Sequence, residues 1–122
     1  FMEGVVAGCA IVTYADGKAL PEEKQKMIQF MRSSQAMQHF DLGEIQKVYT
    51  DYCAKLETDF TFGEAEMLQI INRVKGKDAE ARTLVRVCCA IGAADGSFDA
   101  DEQKAVRKIC RELALDPADF DL

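Results

Sequence analysis

Tryptophan is missing from this 122-residue chain, histidine occurs once, as His39, and proline only twice. So little proline, with 8 glycines, excludes a collagen-like or proline-rich chain. A lone histidine leaves no His-x-x-x-His pair, and neither a glycine-rich phosphate loop nor a nucleophile elbow is legible. No enzyme is expected. Apolar stretches stay well short of the roughly 20 residues that span a bilayer, and no charged-then-apolar leader is legible. The expectation is a soluble chain that stays where it is made. Positive charge is scarce too: 15 Lys and Arg against 21 Asp and Glu give a net charge of −6. Nucleic acid needs a clustered basic surface, so it is not an expected partner. The five cysteines are odd in number and none has zinc-finger or Cys-x-x-Cys spacing, which points to a reduced cytosol.

What is present is a composition of 48% hydrophobic and 30% charged residues, which suits one globular domain over residues 1–122. The chain opens at Phe1-Met2 and runs at once into apolar residues, an opening expected of a chain that lacks its natural N-terminal segment. Helical periodicity dominates. Ile45, Val48, Tyr49, Tyr52, Cys53 and Leu56 follow the i, i+3, i+4, i+7 template, as do Met67, Ile70, Ile71 and Val74. Leu84, Val87, Cys88 and Ile91 form a third such face, and Val106, Ile109, Cys110 and Leu113 a fourth. Val5 to Tyr14 is apolar almost all round, which predicts a helix buried on every side. Pro21 suits a first helical position, Leu42-Gly43 opens the Ile45 helix, and Gly76 is expected to close the Met67 helix. Thr61-Phe-Gly-Glu64 and Asp99-Ala-Asp-Glu102 both read as capping boxes. The fold expected is all-α, a compact bundle of about seven helices.

An internal duplication of a helical hairpin is also expected. Val6 to Glu23 aligns with Val85 to Glu102 at a constant offset of 79 residues. Cys9 falls on Cys88, Ala15-Asp16-Gly17 on Ala94-Asp95-Gly96, and Glu22-Glu23 on Asp101-Glu102. Each copy thus carries an aspartate at the end of one helix and an acidic pair in the first turn of the next. The acidic pairs are explained by the helix dipole and by capping alone. Asp16 and Asp95 are harder to explain, because a carboxylate at a helix C-terminus faces the negative dipole end. Either they form Asx turns, or a cation compensates them. Folding each hairpin back brings Asp16 toward Glu23 and Asp95 toward Glu102. If both bends share a pole, four to six carboxylates crowd there, and they stay ionised only around a cation. Their hard oxygens suit Ca²⁺ or Mg²⁺ rather than Zn²⁺. An EF-hand reading fails, since its first and third loop positions would be Ile91 and Ala93, or Val12 and Tyr14.

This doubled Ala-Asp-Gly…Glu pattern, following a buried helix in each copy, resembles TerB, the tellurite resistance protein family. The resemblance covers nearly the whole chain. It implies an all-helical fold, a cytoplasmic place with inner-membrane association in the bacterial tellurite and stress response, and acidic residues that hold a divalent metal. The matching positions are Asp16, Glu23, Asp95 and Glu102, with Glu22 and Asp101 behind them. It also implies protein partners, among them membrane-associated Ter-type proteins.

Other features carry less. Cys9, Cys53, Cys88 and Cys110 fall on apolar faces, where cysteine acts as a small hydrophobe, although a thiol-based handling of tellurite is the competing reading. Lys104, Arg107, Lys108 and Arg111 form a cationic stripe, joined by Arg73, Lys75 and Lys77. A solvated face explains it, as does docking to an acidic partner or to anionic lipid headgroups in peripheral membrane contact. The functions that follow are a cation-responsive interaction module, a purely structural adaptor, and a thiol-based metalloid handler.

Overall fold

The computed structural model describes residues 1–15, 21–33, 35–93 and 98–122, of which 22–24, 26 and 36 are described by backbone alone. These residues form six α-helices: α1 (Met2–Thr13), α2 (Pro21–Ser33), α3 (Leu42–Thr58), α4 (Phe60–Asn72), α5 (Asp78–Ala93) and α6 (Ala100–Glu112). Two 3₁₀ turns, Gln35–Met37 and Pro117–Phe120, complete them, and no strand occurs among the described residues. The all-α expectation holds. The seventh helix does not appear among the described residues, where the short segments near Met37 and Phe120 are single 3₁₀ turns.

α1 is the hub. From Met2 to Tyr14 every residue but Glu3 is buried, and α2, α3, α4, α5 and α6 all pack against it. A helix with no polar face has nothing to offer water, so the other helices must enclose it. One polar group goes inside with it: the Thr13 hydroxyl donates to the Cys9 carbonyl at 2.7 Å and accepts from the Tyr49 hydroxyl at 3.4 Å. Around α1 the predicted faces turn inward, with Ile45, Tyr49 and Leu56 of α3 and Leu84 and Cys88 of α5 buried. Val106, Ile109 and Cys110 of α6 are buried with them, as are Met27 and Met31 of α2.

α3 and α4 meet at one residue. Asp59 is extended (φ −154°, ψ 102°), its backbone N–H returns to the Lys55 carbonyl, and its side chain accepts from the Phe62 N–H at 3.0 Å. It ends one helix and caps the next. The expected box on Thr61 is therefore displaced: Thr61 lies inside the first turn, because aspartate caps better than threonine and the turn needs only one extended residue. Gly63 permits this tight return, since a Cβ there would come within 3.0 Å of the Lys55 carbonyl oxygen. Gly76 stands farther out than expected. α4 ends at Asn72, and Gly76 takes a left-handed φ of 87° in the turn that follows. Among the described residues no helix is long and apolar enough to cross a membrane.

Candidate functional site

The direction of α5 relative to α1 decides where the two bends lie. A Cβ on Gly4 would sit 3.2 Å from Leu84 Cδ1, and one on Gly8 would sit 2.6 Å from Cys88 Sγ. Moving up α1 by four residues moves the contact up α5 by four, so the two helices run parallel. The Cys9 thiol and burial together raise the Cys88 thiol at this contact. The C-terminal ends of α1 and α5 consequently share one pole of the bundle.

α6 begins at that pole. Ala15, just past α1, lines a cleft of about 180 Å³ together with Phe60, Glu64, Asp101, Lys104, Ala105 and Lys108. Asp101, exposed at the start of α6, thus borders the same space as the residue that precedes Asp16 in sequence. Glu102 is already engaged. Its carboxylate accepts from the Asp99 N–H at 3.2 Å while Asp99 Oδ1 accepts from the Glu102 N–H at 2.8 Å, which completes the predicted capping box. Glu22 and Glu23 stand in the first turn of α2, directly after Pro21, and only their backbone is described. Asp16 and Asp95 lie outside the described residues, as do their glycines. Among the described residues no group of three or more His, Cys, Asp or Glu is gathered to hold a metal ion. The donors that can be followed are carboxylate oxygens, which suit a hard cation. Lys104 and Lys108 in the same cleft oppose one, although Lys108 is held by Glu64 at 2.7 Å.

The capping box gives a measurable separation of roles. Asp99→Ala is expected to destabilise the chain by about 1 kcal/mol in urea unfolding, because two reciprocal bonds are lost at an exposed helix start. Glu102→Gln keeps the box, since glutamine serves at the third position, and should change stability by only a few tenths of a kcal/mol.

A family model described as "Tellurite resistance protein TerB" matches residues 2–122. Over 87 residues the chain is also 34% identical to the tellurium resistance protein TerB of Alcaligenes sp., covering 71% of each. The chain belongs to the TerB family. No solved structure matches it.

In this TerB-family chain the cysteines are core residues. Cys9, Cys53, Cys88 and Cys110 are buried and Cys89 is half-buried. Burial, with its thiol neighbours second, pushes the Cys89 and Cys110 thiols up to about 11. Cys88 is raised as well, first by the Cys9 thiol and then by burial. Thiolates are the reactive species, so these groups are poorly activated at neutral pH. His39 is exposed.

The cationic stripe is interleaved with acids. Lys104 and Lys108 of α6 line the cleft with Asp101 and Glu64, and Arg73 pairs with Glu3 at 3.0 Å. Positive and negative groups interleave. Two features of the pole escaped sequence reasoning. The Tyr14 hydroxyl, one residue before Ala15, donates to the Glu57 carboxylate on α3, and Phe60 and Phe62 face outward. Burial and then Glu57 raise the Tyr14 phenol well above its ordinary range, so it remains a neutral donor. The pairing spans 43 residues and has no local signature.

Proposed function

We propose that this TerB-family chain serves tellurite resistance and the associated stress response as a non-enzymatic, cation-responsive interaction module. α1–α2 and α5–α6 act as two copies of one hairpin, and their acidic bends bind one divalent cation, calcium or magnesium. Asp16 and Asp95 are the principal ligands, with Glu23 and Glu102 beside them and Glu22 and Asp101 in support. The module works in the cytoplasm, in contact with protein partners and with membrane-associated Ter-type proteins.

The observation that carries this reading is the parallel contact of α1 and α5. Gly4 meets Leu84 and Gly8 meets Cys88, and the offset of 79 equates Cys9, beside Gly8, with Cys88. An approximate two-fold relation between the copies, with its axis along the helices, explains that self-contact. The C-terminal ends of α1 and α5 share one end of the bundle, where Ala15 and Asp101 line one cleft. Carboxylates of Asp16 and Asp95 gathered beside Asp101 would favour a bound cation over mutual repulsion.

Adding Ca²⁺ or Mg²⁺ to chelator-treated protein is expected to shift the amide resonances of Gly17 and Gly96 and to raise the thermal midpoint. At about tenfold excess over Kd the stabilisation is roughly 1.4 kcal/mol. Asp16→Asn combined with Asp95→Asn should abolish both effects. A second reading, a structural adaptor that binds no ion, is favoured by the commitment of Glu102 to its cap and by the lysines in the cleft. It prevails if the midpoint ignores every divalent ion and is equally indifferent to the double substitution.

A further inference from the structure

The corner between α3 and α4 presents two phenylalanines to solvent, Phe60 with 37% of its surface exposed and Phe62 with 71%. The helix itself needs neither. Asp59 supplies the cap, and α4 turns Gly63, Met67 and Ile71 inward. Each ring borders its own cleft. Phe60 lines the 180 Å³ cleft beside Ala15 and Asp101. Phe62 lines another of about 300 Å³, with Ala54, Thr58 and Gly63 along it and the Lys55–Glu66 ion pair in its wall. Because Gly63 lets α3 and α4 nearly touch, small groups line this second cleft and leave room for an incoming apolar side chain.

We propose that this corner is the docking surface for a basic amphipathic segment of a partner protein. Single exposed aromatics are ordinary, but two within three residues, each beside a cleft, make a pair of apolar anchors. Around them carboxylates outnumber lysines by four to three, the excess lying in the Phe62 cleft. Asp59, Glu64, Glu66 and Asp101 line the two clefts, and of the three lysines there Lys55 and Lys108 are held by Glu66 at 2.6 Å and by Glu64 at 2.7 Å. Glu57 precedes the corner, and the Asp101-Glu102 pair opens α6 at the same pole. A segment that places apolar side chains against the rings and Lys or Arg around them satisfies both components. Charge also argues against other occupants. A second copy would bring another net charge of −6 against the first, and an anionic bilayer would repel the chain. The rings carry this inference whether or not a cation binds at the bends.

The test uses a fluorescent synthetic helix of leucine and lysine, with its leucine and glutamate counterpart as control, titrated against the whole chain by anisotropy at physiological salt. The lysine helix is expected to bind and the glutamate helix not to. Phe62→Ser should weaken binding about tenfold, and Phe62→Leu should retain most of it. Because residue 62 is exposed, the thermal midpoint of both variants should stay near that of the parent. Binding unchanged by Phe62→Ser, or equal for both helices, overturns the proposal. So does self-association in sedimentation that Phe62→Ser abolishes, which makes the corner a contact between copies. Phe62-dependent sedimentation with phosphatidylglycerol vesicles also overturns it, in favour of a membrane surface.

Discussion

Gly8→Val is expected to destabilise the chain by about 3 kcal/mol, at the upper end of what an overpacked core suffers. The added Cβ would lie 2.6 Å from Cys88 Sγ, 3.4 Å from Leu84 Cδ2 and 3.7 Å from Ile109 Cδ1. The sulfur cannot swing aside freely, since its own Cβ is fixed to α5 and the site is fully buried. Two further methyl groups then have to enter the same space. Valine's advantage over glycine in a helix returns only a few tenths of a kcal/mol. For a chain of this size each kcal/mol shifts the midpoint by about 4 °C, so thermal unfolding should begin roughly 12 °C earlier. Combining Gly8→Val with Cys88→Ala removes the clashing sulfur, and the pair should be less unstable than the sum of the single variants. Gly43→Ala is the contrast. Its Cβ meets only Asp41 Oδ2, at 3.4 Å, on an exposed turn of α3, and stability should rise by about 0.5–1 kcal/mol. A Gly8→Val protein as stable as its parent would mean that α1 and α5 do not cross this closely.

That crossing also shows what a single sequence could and could not disclose. α1 was legible as an enclosed helix because it has no polar stripe, and enclosure is the only arrangement that keeps such a helix out of water. The faces of α3, α5 and α6 were legible for the opposite reason: each alternates apolar and polar groups at the helical period, and Ile45, Leu84 and Ile109 are buried accordingly. Capping was only half legible. Asp99 and Glu102 compete with no better cap, whereas Thr61 stands two residues after an aspartate that captures the helix start. Pairings between distant segments left no trace in spacing. Glu64 holds Lys108 across 44 residues and Glu57 holds Tyr14 across 43. The exposed rings were missed for a related reason. Periodicity treats every phenylalanine as a core residue, and Phe60 and Phe62 fall outside the inward arc of α4 only once Asp59 fixes where that helix begins.

Raising the pH above about 10 should unfold the chain in one cooperative step, because its buried acids are neutral and resist ionisation. Cys89 and Cys110 move from an ordinary 9.0 to about 11, chiefly through burial. Cys88 rises through the Cys9 thiol and through burial, and Tyr14, Tyr49 and Tyr52 rise first of all through burial. In each case the folded chain holds the proton more tightly than the unfolded chain does. The stabilisation is therefore complete below the unfolded thiol value near 9 and drains away as the pH climbs toward 11 and beyond. A two-unit shift corresponds to about 2.7 kcal/mol at most. Fully buried Cys110 can approach that figure, while half-buried Cys89 gives less because water screens it. With the tyrosines added, the loss is comparable to the roughly 5–15 kcal/mol by which domains of this kind are held together. Phenolate absorbance should accordingly appear together with the loss of helical circular dichroism, not gradually around pH 10 as it does for free tyrosine. Cys110→Ala should be less stable at pH 8, where it leaves a small cavity, yet lose about 1–2 kcal/mol less than its parent between pH 8 and 10.5. Smooth phenolate titration near pH 10 with helicity intact would show instead that water reaches these groups, and that the core around α1 is far looser than its packing implies.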